Sequence, residues 1–141
     1  MESGTKTLIT FQVLVKARIE KVWKNWTTPE DIIRWNMASE DWHTPRAEID
    51  LQVGGKFLSR MESKEGKMGF DFWGTYIKVE PEKLIEIKLG DGRKMTVTFE
   101  ETEGATIVTE MFEPEDVNSL ELQKKGWQAI LDNFKKYAEA I

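Results

Sequence analysis

The most restrictive feature of this sequence is a two-residue alternation of apolar and polar side chains that begins near residue 44. It predicts six strands, at 44–52, 55–63, 68–79, 83–89, 93–101 and 105–113. Turn-forming residues separate most of them, as at Gly54-Gly55 and Gly90-Asp91-Gly92. Since no helical segment intervenes, the pattern indicates an antiparallel meander and argues against a doubly wound parallel sheet.

Further elements flank the meander on both sides. Residues 7–15 predict another strand, with Ile9, Phe11, Val13 and Val15 on one face. A short helix is expected from Ile19, and a second where Thr28 can act as the cap and Pro29 as the first helical residue.

A long helix is predicted over residues 118–140, with a length of about 33 Å. Asn118 and Glu121 have the spacing of a capping box at its start. Its apolar stripe comprises Leu120, Trp127, Ile130, Leu131, Phe134, Tyr137 and Ile141. One helix cannot cover a seven-stranded sheet fully, so large side chains must fill the remaining space or a pocket must remain.

Composition narrows the function. The 141 residues suit one domain, 1–141, and the chain has no cysteine, which fits a cytoplasmic location. The net charge of −5, with dispersed basic residues, argues against a nucleic-acid partner. No apolar stretch suggests a secretory signal or a membrane span. A single histidine, His43, makes a multi-histidine metal site impossible, and we expect no metal and no cofactor.

Five stretches together resemble a known superfamily: residues 17–23 (ARIEKVW), 26–35 (WTTPEDIIRW), 50–57 (DLQVGGKF), 74–81 (GTYIKVEP) and 126–137 (GWQAILDNFKKY). The chain resembles START-like, or helix-grip, proteins. It is most similar to the bacterial branch named after the C-terminal domain of the activator of a heat-shock chaperone ATPase, whose members are loosely described as polyketide cyclase-like.

The resemblance implies an α+β helix-grip fold, a seven-stranded antiparallel sheet curled around a long C-terminal helix. Some superfamily members bind lipids, hormones or polyketides, which implies a small hydrophobic ligand. The eukaryotic co-chaperone has an additional N-terminal domain that engages the chaperone, whereas this chain begins almost directly with its first strand. The family name therefore gives no reason to expect chaperone activation here.

Six tryptophans and six methionines supply wide rings and adaptable thioethers for a pocket between sheet and helix. The residues expected to contact a ligand there are Trp35, Trp42, His43, Phe57, Met61, Phe72, Tyr76, Met95, Glu110 and Trp127. Gly126 interrupts the last helix beside Trp127, either for close packing or for clearance around a ligand.

Glu110 is the most informative acid. The family pattern points Val108, Glu110 and Phe112 inward, and a carboxyl group inside an apolar cavity must be paired or protonated. Such a group would anchor a ligand. We favour the alternative of a rim position or a salt bridge to Arg46 or Arg60.

His43 is either an acid/base group at the pocket mouth, partnered by Glu110, Glu48 or Asp50, or a loop histidine bonded to the backbone. The second interpretation is preferred. His43 and Glu110 are thus catalytic candidates only.

In the strand 68–79, Phe70, Phe72, Gly74 and Tyr76 share the expected core face, whereas Trp73 and Ile77 point outward. An outward tryptophan suggests a homodimer contact on the outer face of the sheet.

Three functions follow. The first is binding of a small hydrophobic or aromatic molecule in a cavity between the sheet and the C-terminal helix. The second is a cyclase or aldol-type enzyme that uses His43 and Glu110. The third is a protein-interaction or co-chaperone-like module that uses Trp73.

Overall fold

The computed structural model describes residues 8–37, 39–115 and 119–140. The strands are β1 (Ile9–Val15), β2 (Trp42–Ile49), β3 (Lys56–Ser63), β4 (Gly69–Glu80), β5 (Leu84–Leu89), β6 (Lys94–Thr102) and β7 (Ala105–Phe112), and the helices are α1 (Ile19–Thr27), α2 (Pro29–Trp35) and α3 (Leu120–Glu139). The strands form one antiparallel sheet in the order β1-β7-β6-β5-β4-β3-β2. The predicted meander is therefore confirmed, and β1 joins it by pairing with the last strand.

The sheet curls around α3, which confirms the helix-grip architecture and the α+β class. Alternation places Ile9, Phe11 and Val15 of β1 in the core, with Val13 partly buried beside them. On β7 the buried positions are 106, 108, 110 and 112, so this strand presents a single face to the helix.

Aromatic packing fixes the C-terminal half of α3 against the two short helices. The ring of Phe134 lies 4.8 Å from Trp26 and 4.9 Å from Trp35, and the two indoles lie 4.9 Å apart. Phe134, Leu131 and Ala138 are fully buried. Each ring pair of this kind adds about 0.5–1.5 kcal/mol beyond the area it buries.

Polar contacts hold the same half of the helix. The Tyr137 hydroxyl donates to Asp31 Oδ1 at 2.6 Å, and Asn133 Nδ2 donates to the carbonyl oxygen of Met37. The backbone amide of Lys16 donates to Glu139 at 2.7 Å. The C-terminal half of α3 is thus tied to α2, to the segment after it and to the end of β1.

The start of α3 differs from the sequence prediction. Asn118, the predicted cap, lies outside the described residues, as does Ile141 of the predicted stripe. Ser119 is the N-cap, and its hydroxyl oxygen accepts from the amide of Leu122 at 3.1 Å. Leu120, the first residue of the predicted apolar stripe, does not face the core, since it is 46% exposed, and the first buried position of the helix is Gln123.

Packing explains the positions of Trp73 and Gly74 in β4. Trp73 does point outward, with 40% exposure, and its ring lies against Gly90 and beneath the ammonium group of Lys56. A Cβ atom at Gly74 would come within 2.7 Å of Ile87 and 2.8 Å of the Lys88 carbonyl oxygen. Gly74 therefore permits close approach of β5 and Phe57 and does not open a space for a ligand.

Among the described residues, no helix combines the length and apolar character that crossing a bilayer requires.

Candidate functional site

Two adjoining cavities lie between α3 and the sheet. The outer cavity has a volume of about 330 Å³ and the inner one about 70 Å³. Asn36, Phe72, Trp127 and Ile130 line both of them, so the two spaces lie on either side of these side chains. Phe70 and Leu122, which are half exposed or more, bring the outer cavity to the protein surface.

The outer cavity lies beneath the N-terminal half of α3. Its lining residues are Asn36, Trp42, Met61, Phe70, Phe72, Arg93, Glu115, Leu122, Gln123, Gly126, Trp127 and Ile130. The rings form two tilted pairs, with centroids 6.1 Å apart for Trp42 and Phe70 and 5.4 Å apart for Phe72 and Trp127. The walls are thus aromatic surfaces contributed by both sheet and helix.

Gly126 contributes open space to this cavity. Apart from its chain neighbours and the nearby backbone of its own helix, a Cβ atom at this position would have no described atom within 4 Å. Close packing of a neighbouring element therefore does not explain this glycine, and the open space beside it is part of the cavity.

Polar groups occupy one edge of the outer cavity and fasten the segment after β7 to the helix. The Gln123 side chain accepts from the amide of Glu115 at 2.9 Å and donates to its carbonyl oxygen at 3.2 Å. Arg93 donates to Asp91 at 2.7 Å and to the carbonyl oxygen of Glu113 at 3.2 Å. These bonds satisfy the buried amide of Gln123 and keep the guanidinium group at the edge.

The inner cavity is lined mainly by apolar and aromatic side chains. The lining residues are Trp26, Ile32, Trp35, Asn36, Ile49, Phe57, Ser59, Phe72, Tyr76, Ile85, Ile87, Met95, Glu110, Trp127 and Ile130. Burial raises the pKa of the Tyr76 phenol, and the nearby charge of Asp50 raises it further.

Glu110 lines the inner cavity as a buried acid without a basic partner. It is 2% exposed, and its Oε1 atom has no hydrogen-bond partner among the described residues. Burial raises the pKa of this carboxyl group from 4.5 to about 8. At neutral pH the group is therefore mostly protonated and uncharged.

The salt bridge that we favoured for Glu110 is wrong. Arg46 contacts Glu48 at 3.4 Å, and Arg60 contacts Glu62 at 2.9 Å and Asp71 at 3.3 Å. Because Ser59 and Met61 are buried on the inner face of β3, strand alternation turns Arg60 to the outer face. The rim position is equally wrong, since Glu110 is buried.

His43 does not meet Glu110. It lies at the start of β2, so its placement in a loop is wrong, and its Nε2 atom is 3.9 Å from Glu62 Oε1. Its side chain is 41% exposed and lines neither cavity, and four strands separate β2 from β7 in the sheet. The structure thus separates the two catalytic candidates.

The other nine predicted contact residues line at least one cavity. Trp42 and Met61 line the outer one, Phe72 and Trp127 line both, and Trp35, Phe57, Tyr76, Met95 and Glu110 line the inner one. Lining residues that were not predicted include Asn36, Phe70, Ile130 and the rim residue Leu122. The alternation that places Phe70 beside Phe72 was the available signal for the missed Phe70.

Comparison with known proteins identifies the family. The family model described as "Activator of Hsp90 ATPase homolog 1-like protein" matches residues 16–139. The chain belongs to this family. No curated protein matches the sequence.

Solved structures agree with the assignment. The chain is similar to an AHSA1-like protein from Aeromonas hydrophila, with 43% identity, 95% of this chain and 93% of that chain covered, and a TM-score of 0.89. A protein from Cytophaga hutchinsonii shares 49% identity over 94% of this chain and 92% of its own, with a TM-score of 0.82. A Nitrosomonas europaea protein with 18% identity, 94% coverage of both chains and a TM-score of 0.80 supports the fold alone.

Proposed function

We propose that this protein binds a small hydrophobic or aromatic molecule in the two adjoining cavities. The observation that carries the proposal is the outer cavity of about 330 Å³, walled by rings from both sheet and helix and open at Phe70 and Leu122. Sites for small molecules are concave, mostly apolar and a few hundred Å³ in volume, with few polar groups. The membership of the chain in a START-like family is consistent with such a ligand.

The ring pairs indicate which class of ligand the outer cavity would bind. The ring centroid of Trp127 lies 5.4 Å from that of Phe72 and 4.8 Å from that of Phe112, so the indole is already packed against both rings. A planar ligand in the outer cavity would pack against Phe72, Trp42 and the exposed part of Trp127. Flat apolar molecules gain both area burial and ring contacts from such walls.

The binding test uses Gly126. Replacement of Gly126 by Leu places a branched side chain in the open space of the outer cavity, whereas Lys125→Leu adds the same side chain on the exposed face of the same helix. A panel of neutral lipids, flavonoids and polyketides is titrated while tryptophan fluorescence is recorded. We expect at least one compound to bind the wild type and Lys125→Leu equally, and Gly126→Leu at least roughly tenfold more weakly, since it loses the space for the ligand.

The proposal fails if no compound in the panel binds, or if Gly126→Leu binds as the wild type does. Near-ultraviolet circular dichroism of both variants shows whether each retains the native packing.

An enzyme that uses His43 and Glu110 is not part of this proposal, because the two side chains share no cavity. A cytoplasmic location belongs to the proposal and is supported by the absence of cysteine. Cell fractionation with an antibody checks it.

The homodimer contact near Trp73 stays a prediction. Contacts with Gly90 and Lys56 within the chain already account for the position of this ring. Sedimentation velocity of the wild type and of Trp73→Thr tests it, and a dimer that survives the substitution places the contact elsewhere.

A further inference from the structure

We propose that the end of the ligand that enters the inner cavity is uncharged and carries a hydrogen-bond acceptor, such as a carbonyl oxygen, that receives a hydrogen bond from the Glu110 carboxyl group. The inference rests on the proposed function and adds the polar chemistry of the ligand to it.

The position of Glu110 in the sheet limits its partners. Its neighbours on the adjacent strands are Phe11 of β1 and Val97 of β6, which are both apolar and buried. The helices contribute Trp26, Trp35 and Trp127 to the same cavity. A carboxyl group buried among such residues without a partner for Oε1 is destabilising, so a ligand atom that bonds to it gains an otherwise unused contact.

The charges around the inner cavity decide which chemical groups of a ligand fit there. Tyr76 of β4 is the other titratable residue lining it, and no Lys, Arg or His lines it within the part of the chain that the structure describes. An anionic ligand would find no cation here and would face a carboxyl group. Burial raises the pKa of Glu110 to about 8, so at pH 7 the group carries a proton to donate.

A cationic amine fits less well than a neutral acceptor. It would require a buried ion pair, and the remaining polar side chains of the lining, Asn36, Ser59 and Tyr76, are few for two desolvated charges. Buried pairs recover their desolvation cost only with additional hydrogen bonds. A neutral acceptor requires no charge separation.

The volumes of the two cavities determine the orientation of the bound ligand. The inner space of about 70 Å³ accommodates a small polar end, and the outer space of about 330 Å³ accommodates the rings. The polar end would therefore enter first, past Phe72 and Trp127.

The test compares 2-acetylnaphthalene with 2-isopropenylnaphthalene, which differ by C=O against C=CH₂ on the same rings. Their dissociation constants are measured by tryptophan fluorescence at pH 6 and pH 9.5, and the ratio of the two affinities cancels the shared apolar contribution. We expect the ratio to favour the ketone at pH 6 and to fall roughly fivefold or more at pH 9.5, where Glu110 ionises and can no longer donate.

Glu110→Gln is the matched variant. Its amide donates a hydrogen bond at both pH values and does not ionise, so the ratio should stay constant with pH. Should the variant not fold, the pH comparison on the wild type still decides the question.

Three results would overturn the inference. If the ratio of the two affinities in the wild type does not change with pH, Glu110 is not the donor. Binding of the hydrocarbon would still support the proposed function. Tighter binding of 2-(aminomethyl)naphthalene than of the ketone at both pH values would assign the site to cations. If neither naphthalene binds, the proposed function fails for this ligand class and the inference fails with it.

Discussion

Replacement of Glu110 by Gln should make the protein more stable at neutral and alkaline pH, by an amount that follows from burial. The folded-state pKa of about 8 lies above the ordinary value of 4.5, so the folded protein holds a proton that the unfolded chain has released between these two pH values. Stability then decreases as the pH rises through this interval and levels off above it. At 1.36 kcal/mol per pH unit, the loss is on the order of 5 kcal/mol between pH 4.5 and 8, and about 3 kcal/mol of it is present at pH 7.

The neutral amide of Glu110→Gln keeps the shape of the side chain and removes the titration. Urea unfolding of both proteins, followed by tryptophan fluorescence at pH 5, 6, 7, 8 and 9, gives the difference in the free energy of unfolding at each pH. Titrations shared by the two proteins cancel in this difference. It should be small at pH 5, increase to several kcal/mol in favour of the variant at pH 8, and change little above that.

A difference that stays constant from pH 5 to 9 would refute the reasoning. It would mean that the carboxyl group has an ordinary pKa in the folded protein, through solvent or a partner that reaches it. A difference that grows towards low pH would mean that the folded protein stabilises the carboxylate, opposite to the burial argument.

Substitutions at four positions test the packing and the helix cap, each by urea unfolding. Gly126→Ala should stabilise the protein by about 1 kcal/mol, because alanine favours the helix and its Cβ meets open space; Gly74→Ala should destabilise it by about 1–3 kcal/mol, because its Cβ would approach the carbonyl oxygen of Lys88 to 2.8 Å. Equal effects at the two glycines would contradict the packing described. Phe134→Ala should lower the free energy of unfolding by about 3–5 kcal/mol, since the ring is fully buried. A decrease below about 1 kcal/mol would show that the surrounding side chains close the space left by the ring. Ser119→Ala should cost about 1 kcal/mol through the lost cap, and Ser119→Asp should recover it.

The sequence predicts the architecture well because strand alternation and turn residues are local signals. All seven strands and three helices lie within a few residues of their expected positions. The start of β2 was missed because Trp42 and His43 join the strand by pairing with Ser63 and Glu62, contacts that no local pattern contains. The mistake at Leu120 has a similar origin, because its exposure depends on where α3 leaves the sheet.

The sequence predicts which side chains face the candidate site, but not which partners they meet there or how large the cavity is. Alternation shows that Glu110 and Phe112 share a face, yet it does not show whether a basic side chain crosses the sheet to meet the acid. Arg60 fails to do so because its neighbours Ser59 and Met61 occupy the inner face. The sequence also gives no cavity volume, since that depends on how far α3 lies from β3 and β4.

The two halves of α3 have different structural roles. Residues 131–138 hold the domain together through Phe134 and the bond from Tyr137 to Asp31, whereas the turns around Gln123 and Gly126 form one wall of the outer cavity. Substitutions near Gly126 should therefore change the shape of the outer cavity at little cost in folding free energy. If the proposed function holds, new ligand preferences can evolve on the first half of the helix while the second half preserves the fold.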